Sequence, residues 1–444
     1  MSKYDVINER NGKVYIVPSR GGDHSSAHLA LQKALNSGGS VVFPSGSYRF
    51  EDPLQTVGGA ADIEISASAS WITRSTDSLG FLDLAADRLH IHGGGQILVE
   101  DHVNDQNALT LSGTNLKIQD ITFKSTSEGG LNANPSTFVR LNAAVEKHIH
   151  GCTFVPSAGV ICVHSVNGNR TMLVGNHVTS QTTLGQGGGE SPGMVGCTGG
   201  FWLQGDEWFK VMGNTFFGVG DAGDVADENM LFCVRATMPS DPVGSEGGHS
   251  IVSGNHIEFA RVDRAIEWQG VLWSQISGNL IGYLSEGPTA ATHAAIWIDS
   301  SDLADTGVPT GYCHITGNQF HNCEGNTPTG DAAYINVRRG VSCSINSNQF
   351  VVVREGHTPV RVQTDISGNV MILYNHFETA ENNGEEEHAN EAIVFSGTAL
   401  TTERKCAVVG NLNAGFTGGF LDANNETTNL IDRDNDDDIT FDVP

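Results

Sequence analysis

Ile276-Ser-Gly-Asn279-Leu-Ile281, Ile315-Thr-Gly-Asn318-Gln-Phe320 and Ile345-Asn-Ser-Asn348-Gln-Phe350 are three copies of one short element. Each has an apolar residue, two small or polar residues, an Asn, a variable residue and a second apolar residue. Upstream the same element stands as Leu173-Val-Gly-Asn176-His-Val178, Val211-Met-Gly-Asn214-Thr-Phe216 and Val252-Ser-Gly-Asn255-His-Ile257. Downstream it returns as Ile372-Leu-Tyr-Asn375-His-Phe377 and, more weakly, as Val408-Val-Gly-Asn411-Leu-Asn413. His150-Gly-Cys152-Thr-Phe154 is the same element with Cys in place of Asn. The Asn-to-Asn spacings are 38, 41, 24, 39, 30, 27 and 36 residues. A constant element with variable insertions is the mark of a solenoid, because each coil returns to one register while its outer loops vary freely. Asn suits such a turn: it tolerates left-handed backbone angles, and its amide can bond the Asn one coil away. A stacked Asn ladder is therefore expected.

The register extends outward from the ladder. Residues two after the Asn (Val178, Phe216, Ile257, Ile281, Phe320, Phe350, Phe377) and three before it (Leu173, Val211, Val252, Ile276, Ile315, Ile345, Ile372, Val408) are apolar and are expected to face inward. Cys313, Cys343 and Cys406 sit five before the Asn and share one inward column, which predicts buried thiols rather than disulfides or a zinc site. A second strand precedes each element: Ile161-Cys-Val-His164, Phe201-Trp-Leu-Gln204, Phe232-Cys-Val-Arg235, Ile266-Glu-Trp-Gln269, Ile296-Trp-Ile-Asp299, Ile335-Asn-Val-Arg338, Val360-Arg-Val-Gln363 and Ile393-Val-Phe-Ser396. Its period of two puts the first and third residues inside and the second and fourth outside. The chain is thus expected to be all-β, with parallel strands stacked along an axis.

Composition limits the partners. The chain of 444 residues carries 51 acidic against 24 basic residues, a net charge of −27, and only eight of the basic residues are Lys. Such a surface disfavours capture of nucleic acid or of an anionic membrane, and it stays hydrated in concentrated salt, which suggests a halophilic host. The first residues, Met1 to Glu9, contain no apolar core, so no signal peptide is visible, and no run of 18 apolar residues occurs. A virion or extracellular location, reached by lysis or after loss of a leader, is expected. Residues 1–55 are expected to form an N-terminal segment whose Ser-capped helix, Ser25 to Asn36, plugs the solenoid; residues 56–420 form the coils, and residues 421–444 an acidic tail.

The helix followed by Gly38-Gly-Ser-Val-Val-Phe-Pro-Ser-Gly-Ser-Tyr48, and then coils marked by Gly-Asn-x-Phe, resembles the pectate-lyase-like superfamily. The resemblance spans nearly the whole chain and implies a single-stranded right-handed parallel β-helix with an N-terminal capping helix. It implies carbohydrate chemistry only broadly, since that superfamily includes polysaccharide lyases, glycoside hydrolases, fructan-converting transferases, epimerases and trimeric viral tailspikes. The Asp-Pro-His of alginate epimerases and the Gly-Asp-Asp of polygalacturonases are absent from the sequence, so no family catalytic residue is carried over.

The outward residues of the second strand are the candidate site. One column is expected to read Cys162, Trp202, Cys233, Glu267, Trp297, Asn336, Arg361, Val394; the other His164, Gln204, Arg235, Gln269, Asp299, Arg338, Gln363, Ser396. Aromatic rings suit sugar C–H faces, and planar amide, carboxylate and guanidinium groups suit paired hydroxyls. Glu267 and Asp299, on adjacent coils and two residues apart, have backbones about 8 Å from each other, within the separation of an inverting carboxylate pair. Arg235 and Arg338 flank them and would hold a carboxylated sugar. The same residue mixture also builds subunit interfaces, and β-helices commonly trimerise along a side. Two classes therefore stay open: a trimeric virion spike that recognises surface polysaccharide, with or without cleavage, and a free polysaccharide-active lyase, hydrolase or transglycosylase. No cofactor is implied: the acidic loop Asp221 to Glu228 offers oxygen ligands for Ca²⁺ without the spacing of an EF-hand, and His177, His256 and His376 read as turn residues.

Overall fold

The computed structural model describes residues 6–10, 13–16, 40–50, 54–57, 61–74, 82–85, 87–101, 107–125, 136–156, 160–179, 199–218, 232–238, 249–258, 261–286, 293–299, 311–323, 333–338, 342–353, 357–363, 369–379, 391–396, 406–414, 421–422 and 430–433. The chain forms two units, residues 1–230 and 231–444. Both are all-β parallel β-helices, and no helix occurs among the described residues. The expected capping helix at 25–36 and the acidic loop at 221–228 lie outside the described residues.

In the second unit each coil crosses three faces in turn. On the first face Phe232–Thr237, Arg264–Gln269, Ala294–Asp299, Ala333–Val337, Thr358–Gln363 and Ile393–Ser396 pair successively in parallel. The second face stacks Ser250–Ser253, Leu272–Ser277, Gly311–Thr316, Cys343–Asn346, Val370–Leu373 and Cys406–Val409. A third face follows the Asn turn, from His256–Glu258 to Leu412–Ala414. The first unit has the same plan, and its strands Asn107–Gln119 and Ser136–His150 each run through the corner between the first two faces. Pairing begins before residue 56, where Lys13–Ile16 joins Ser40–Phe43, and continues past residue 420, where Leu421–Asp422 and Leu430–Arg433 add to the stack.

The Asn ladder is present. In the second unit each Nδ2 of Asn255, Asn279, Asn318, Asn348 and Asn375 donates to the Oδ1 of the next Asn, ending at Asn411, at 2.9–3.0 Å. The same oxygens also accept the backbone N–H of the preceding Asn. In the first unit Asn176 donates to Asn214, and Cys152 joins through its backbone N–H alone, which donates to Asn176 Oδ1 at 3.0 Å. The left-handed residue, however, is the one before the Asn: Gly278 has φ 61° and Gly317 φ 64°, with Ser347 and Tyr374 taking the same conformation. Asn is therefore selected for its amide, not its backbone tolerance.

Apolar burial fills the interior as the register requires. All the residues expected two after and three before the ladder Asn are 0 % exposed. Phe320, Phe350 and Phe377 stack with ring centroids 4.8 Å apart, the coil spacing itself. Each such ring contributes about 1.5–3 kcal/mol by leaving water. Cys313 and Cys343 pair across adjacent strands, and the seven described cysteines are buried and form no disulfide. Burial pushes the Cys152 thiol up to about 12 and the Cys406 thiol up to about 11, so neither is reactive near neutrality.

Candidate carbohydrate site

The first face of the second unit brings much of the expected site together. Glu267, Trp297, Asn336, Arg361 and Val394 form one column, and Gln269 pairs with Asp299 beside it. Glu267 and Asp299 are therefore diagonal neighbours on adjacent strands, as the sequence predicts. At the upstream coils the register differs by two residues. Arg235 stands beside Glu267 rather than Gln269, and in the first unit His164 stands beside Trp202 rather than Gln204. A slip of two leaves the inside–outside alternation unchanged, so the hydrophobic pattern carries no signal against it.

Burial is the larger departure from an open groove. Glu267 and Asp299 are 1 % exposed, Trp297 and Asn336 0 %, and Cys162 and Cys233, expected on the outside, are also fully buried. Trp202, Gln204, Gln269, Arg338, Arg361 and Gln363 are half-buried. Glu267 is enclosed by donors. Arg235 Nε donates to its Oε2 at 2.5 Å, Gln269 Nε2 to its Oε1 at 2.7 Å, and Arg264 Nη1 to the same Oε1. Arg264 also lies 4.2 Å from the Trp297 ring, so that guanidinium is fixed by an anion and a π-face together. Burial opposes ionisation of Glu267, but the guanidiniums of Arg235 and Arg264 outweigh it and hold the carboxyl below its ordinary range. Asp299 has Arg338 Nη1 at 3.6 Å from its Oδ2.

The second face carries an exposed feature that the sequence reading missed. Trp273 and Tyr312 are 46 % and 42 % exposed, and their rings stack at 4.1 Å with 7° between planes. His249 continues the row at 6.2 Å from Trp273. The three border a cleft of about 280 Å³ that Gln275 and His314 also line. Adjacent strands set this alignment: Ser250 pairs with Ser274 and Ser274 with Cys313, so the residues just before them fall into register.

All three residues are left-handed, with φ of 56°, 52° and 52°. For a side chain with a Cβ this conformation costs about 1–2 kcal/mol. The corner itself does not ask for aromatic rings. In the first unit the same position, six residues before the ladder position, holds Asn115, Glu146 and Arg170, also left-handed, and a ring only at Trp208. Extending the register one step beyond the Cys column would have found the row.

No protein-family model matches the sequence, and no curated protein does. Solved structures do. A mutant tailspike protein of the E. coli bacteriophage HK620, in complex with a pentasaccharide, aligns over 94 % of this chain and 76 % of its own, at 13 % identity and a TM-score of 0.58. The Dettilon tailspike protein aligns over 94 % of this chain and 70 % of its own, at 12 % identity and a TM-score of 0.54. The chain thus has the right-handed parallel β-helix fold of the tailspike proteins, in agreement with its resemblance to the pectate-lyase-like superfamily.

Proposed function

We propose that the protein is a carbohydrate-recognising β-helix that binds surface polysaccharide along the second unit. The exposed Trp273–Tyr312 stack carries this reading: two rings are kept at left-handed positions, where Asn or Gly would cost less, beside a cleft that offers amide and imidazole donors. The half-buried Gln269, Arg338, Arg361 and Gln363 on the first face extend the polar surface of the second unit; within the first unit Trp202 and Gln204 are half-buried on its own first face. Buried Glu267, Trp297, Asn336 and Arg235 hold that surface in place.

In the same proposal the chain is a virion spike, trimeric, and adapted to a halophilic host. Its fold shared with tailspikes and its charge of −27 support that assignment. The alternative, a free polysaccharide-active enzyme, uses the same surface and differs in its products. If the bound glycan is cleaved, the adjacent carboxyls of Glu267 and Asp299 carry the chemistry. Glu267, held as a carboxylate by Arg235 and Arg264, serves as base, and Asp299 is the second carboxyl of the pair.

Incubating the protein with host-surface polysaccharide and sizing the products separates these readings. Shortened products that vanish in Glu267→Gln and Asp299→Asn assign cleavage to the pair. Cleavage that persists in both removes it. Sedimentation of the intact chain tests the trimer, and a monomer at micromolar concentration contradicts it.

A further inference from the structure

Far from the aromatic cleft in sequence, Leu89-His-Ile-His92 places two imidazoles on one side of a single strand. His90 pairs in register with Asp62 on the neighbouring strand Ala61–Ile65, and His92 pairs with Glu64. The two rings stack at 4.3 Å and converge on one carboxylate oxygen. His90 Nδ1 is 3.2 Å and His92 Nε2 3.1 Å from Asp62 Oδ1. One ligand atom from each of the three residues lies within 4.8 Å of the others.

We infer that Asp62, His90 and His92 form a divalent-metal site of the Zn²⁺ class that clips two successive coils of the first unit. Ligands about 2.05 Å from a tetrahedral Zn²⁺ lie about 3.3 Å apart, close to the two separations present. Two imidazoles and one carboxylate suit Zn²⁺ and its neighbours, and they leave a fourth position for water. Ser40 Oγ donates to the other oxygen of Asp62 at 3.4 Å, which orients the carboxylate and leaves Oδ1 to the site. Glu64 beside His92 adds negative charge, and Lys117, which pairs with His90 on the next strand, opposes it. None of the three ligands is deeply buried: their side chains are 26–39 % exposed, so an ion can enter and a substitution can be accommodated.

The test is titration of the chelator-treated full chain with Zn²⁺ alone, followed by calorimetry, with Co²⁺ as a spectroscopic probe of tetrahedral coordination. Other histidines among the 17 in the chain are the control. The inference expects one tight site per chain and a rise in melting temperature on binding. His90→Gln, His92→Gln and Asp62→Asn should each weaken that site by at least about 100-fold, more than loss of a ligand's supporting partner does. Each variant should keep the wild-type melting temperature within a few degrees in the presence of chelator. No Zn²⁺ binding by the wild type, or binding unchanged in all three variants, overturns the inference. Removing His177 and His376 instead should leave the titration unaltered.

Discussion

Asn318→Ala tests the ladder at its centre. In the wild type Asn318 Nδ2 donates to Ile276 O at 3.0 Å and to Asn348 Oδ1 at 2.9 Å. Its Oδ1 accepts Asn279 N–H at 3.0 Å and Asn279 Nδ2 at 2.9 Å. Alanine removes all four bonds in a site 0 % exposed to solvent. Three of the four stranded groups keep another partner: Asn279 Nδ2 still bonds Val252 O, Asn348 Oδ1 still accepts Asn318 N–H, and Ile276 O retains its strand pairing. The backbone N–H of Asn279 loses the acceptor that satisfies it. At about 1 kcal/mol for each lost bond, with about 1 kcal/mol more for the stranded amide, the expected loss is about 4–5 kcal/mol. Because coils open locally, hydrogen exchange at the Asn279 amide is a sharper assay than global melting. Protection there should fall by about three orders of magnitude, whereas amides three coils away should change little. A loss below about 1.5 kcal/mol at Asn279 would refute the claim that the ladder bonds stabilise the coils.

Other outcomes follow from the same structure. Gly278→Ala meets no atom within 4 Å of the added Cβ, so it should cost only the left-handed strain, about 1–2 kcal/mol in denaturant unfolding. Asp206 accepts Gly168 N–H at 2.6 Å and Thr171 Oγ1–H at 2.7 Å, and it faces buried Lys147 at 3.7 Å. Asp206→Ala leaves that ammonium without an anion and should destabilise the first unit by about 3–5 kcal/mol, which Lys147→Met in the same chain should partly restore. Burial pulls the His164 pKa down to about 4, so the unfolded chain takes up the proton first as pH falls. His164 should contribute nothing to the pH dependence above about pH 6.5 and a loss of about 3 kcal/mol by pH 4, read as the difference between the wild-type and His164→Gln profiles.

The ladder, the inward columns and the buried thiols were legible because each is a local pattern repeated at a fixed offset from the Asn. Lateral pairing was legible only modulo two: the tetrapeptides Ile161-Cys-Val-His164 and Phe201-Trp-Leu-Gln204 align equally well in either register, yet Ile161 pairs with Gly199. Burial of the first face was not legible, since alternation reports which side a residue takes and not what covers that side. Glu267 looked like an exposed acid from its position, while its three donors come from Arg235 on another strand and from Arg264 and Gln269 on its own. The row His249, Trp273, Tyr312 was not legible because these residues sit at left-handed corner positions one step outside the Cys column, where the inside–outside alternation of a strand gives no direction. Asp62 and the His90/His92 pair meet only through strand pairing, so spacing along the chain does not join them.

Recognition of carbohydrate is the central claim, and one binding measurement tests it most directly. Wild-type protein and the Trp273→Ala/Tyr312→Ala variant are titrated with fragments of the host-surface polysaccharide, followed by calorimetry, with melting temperatures confirming that both are folded. The account predicts saturable binding by the wild type and a loss of about 2–4 kcal/mol in the variant, the worth of two stacking rings. Undiminished binding in the folded variant, or no binding by the wild type to any fragment, would contradict it.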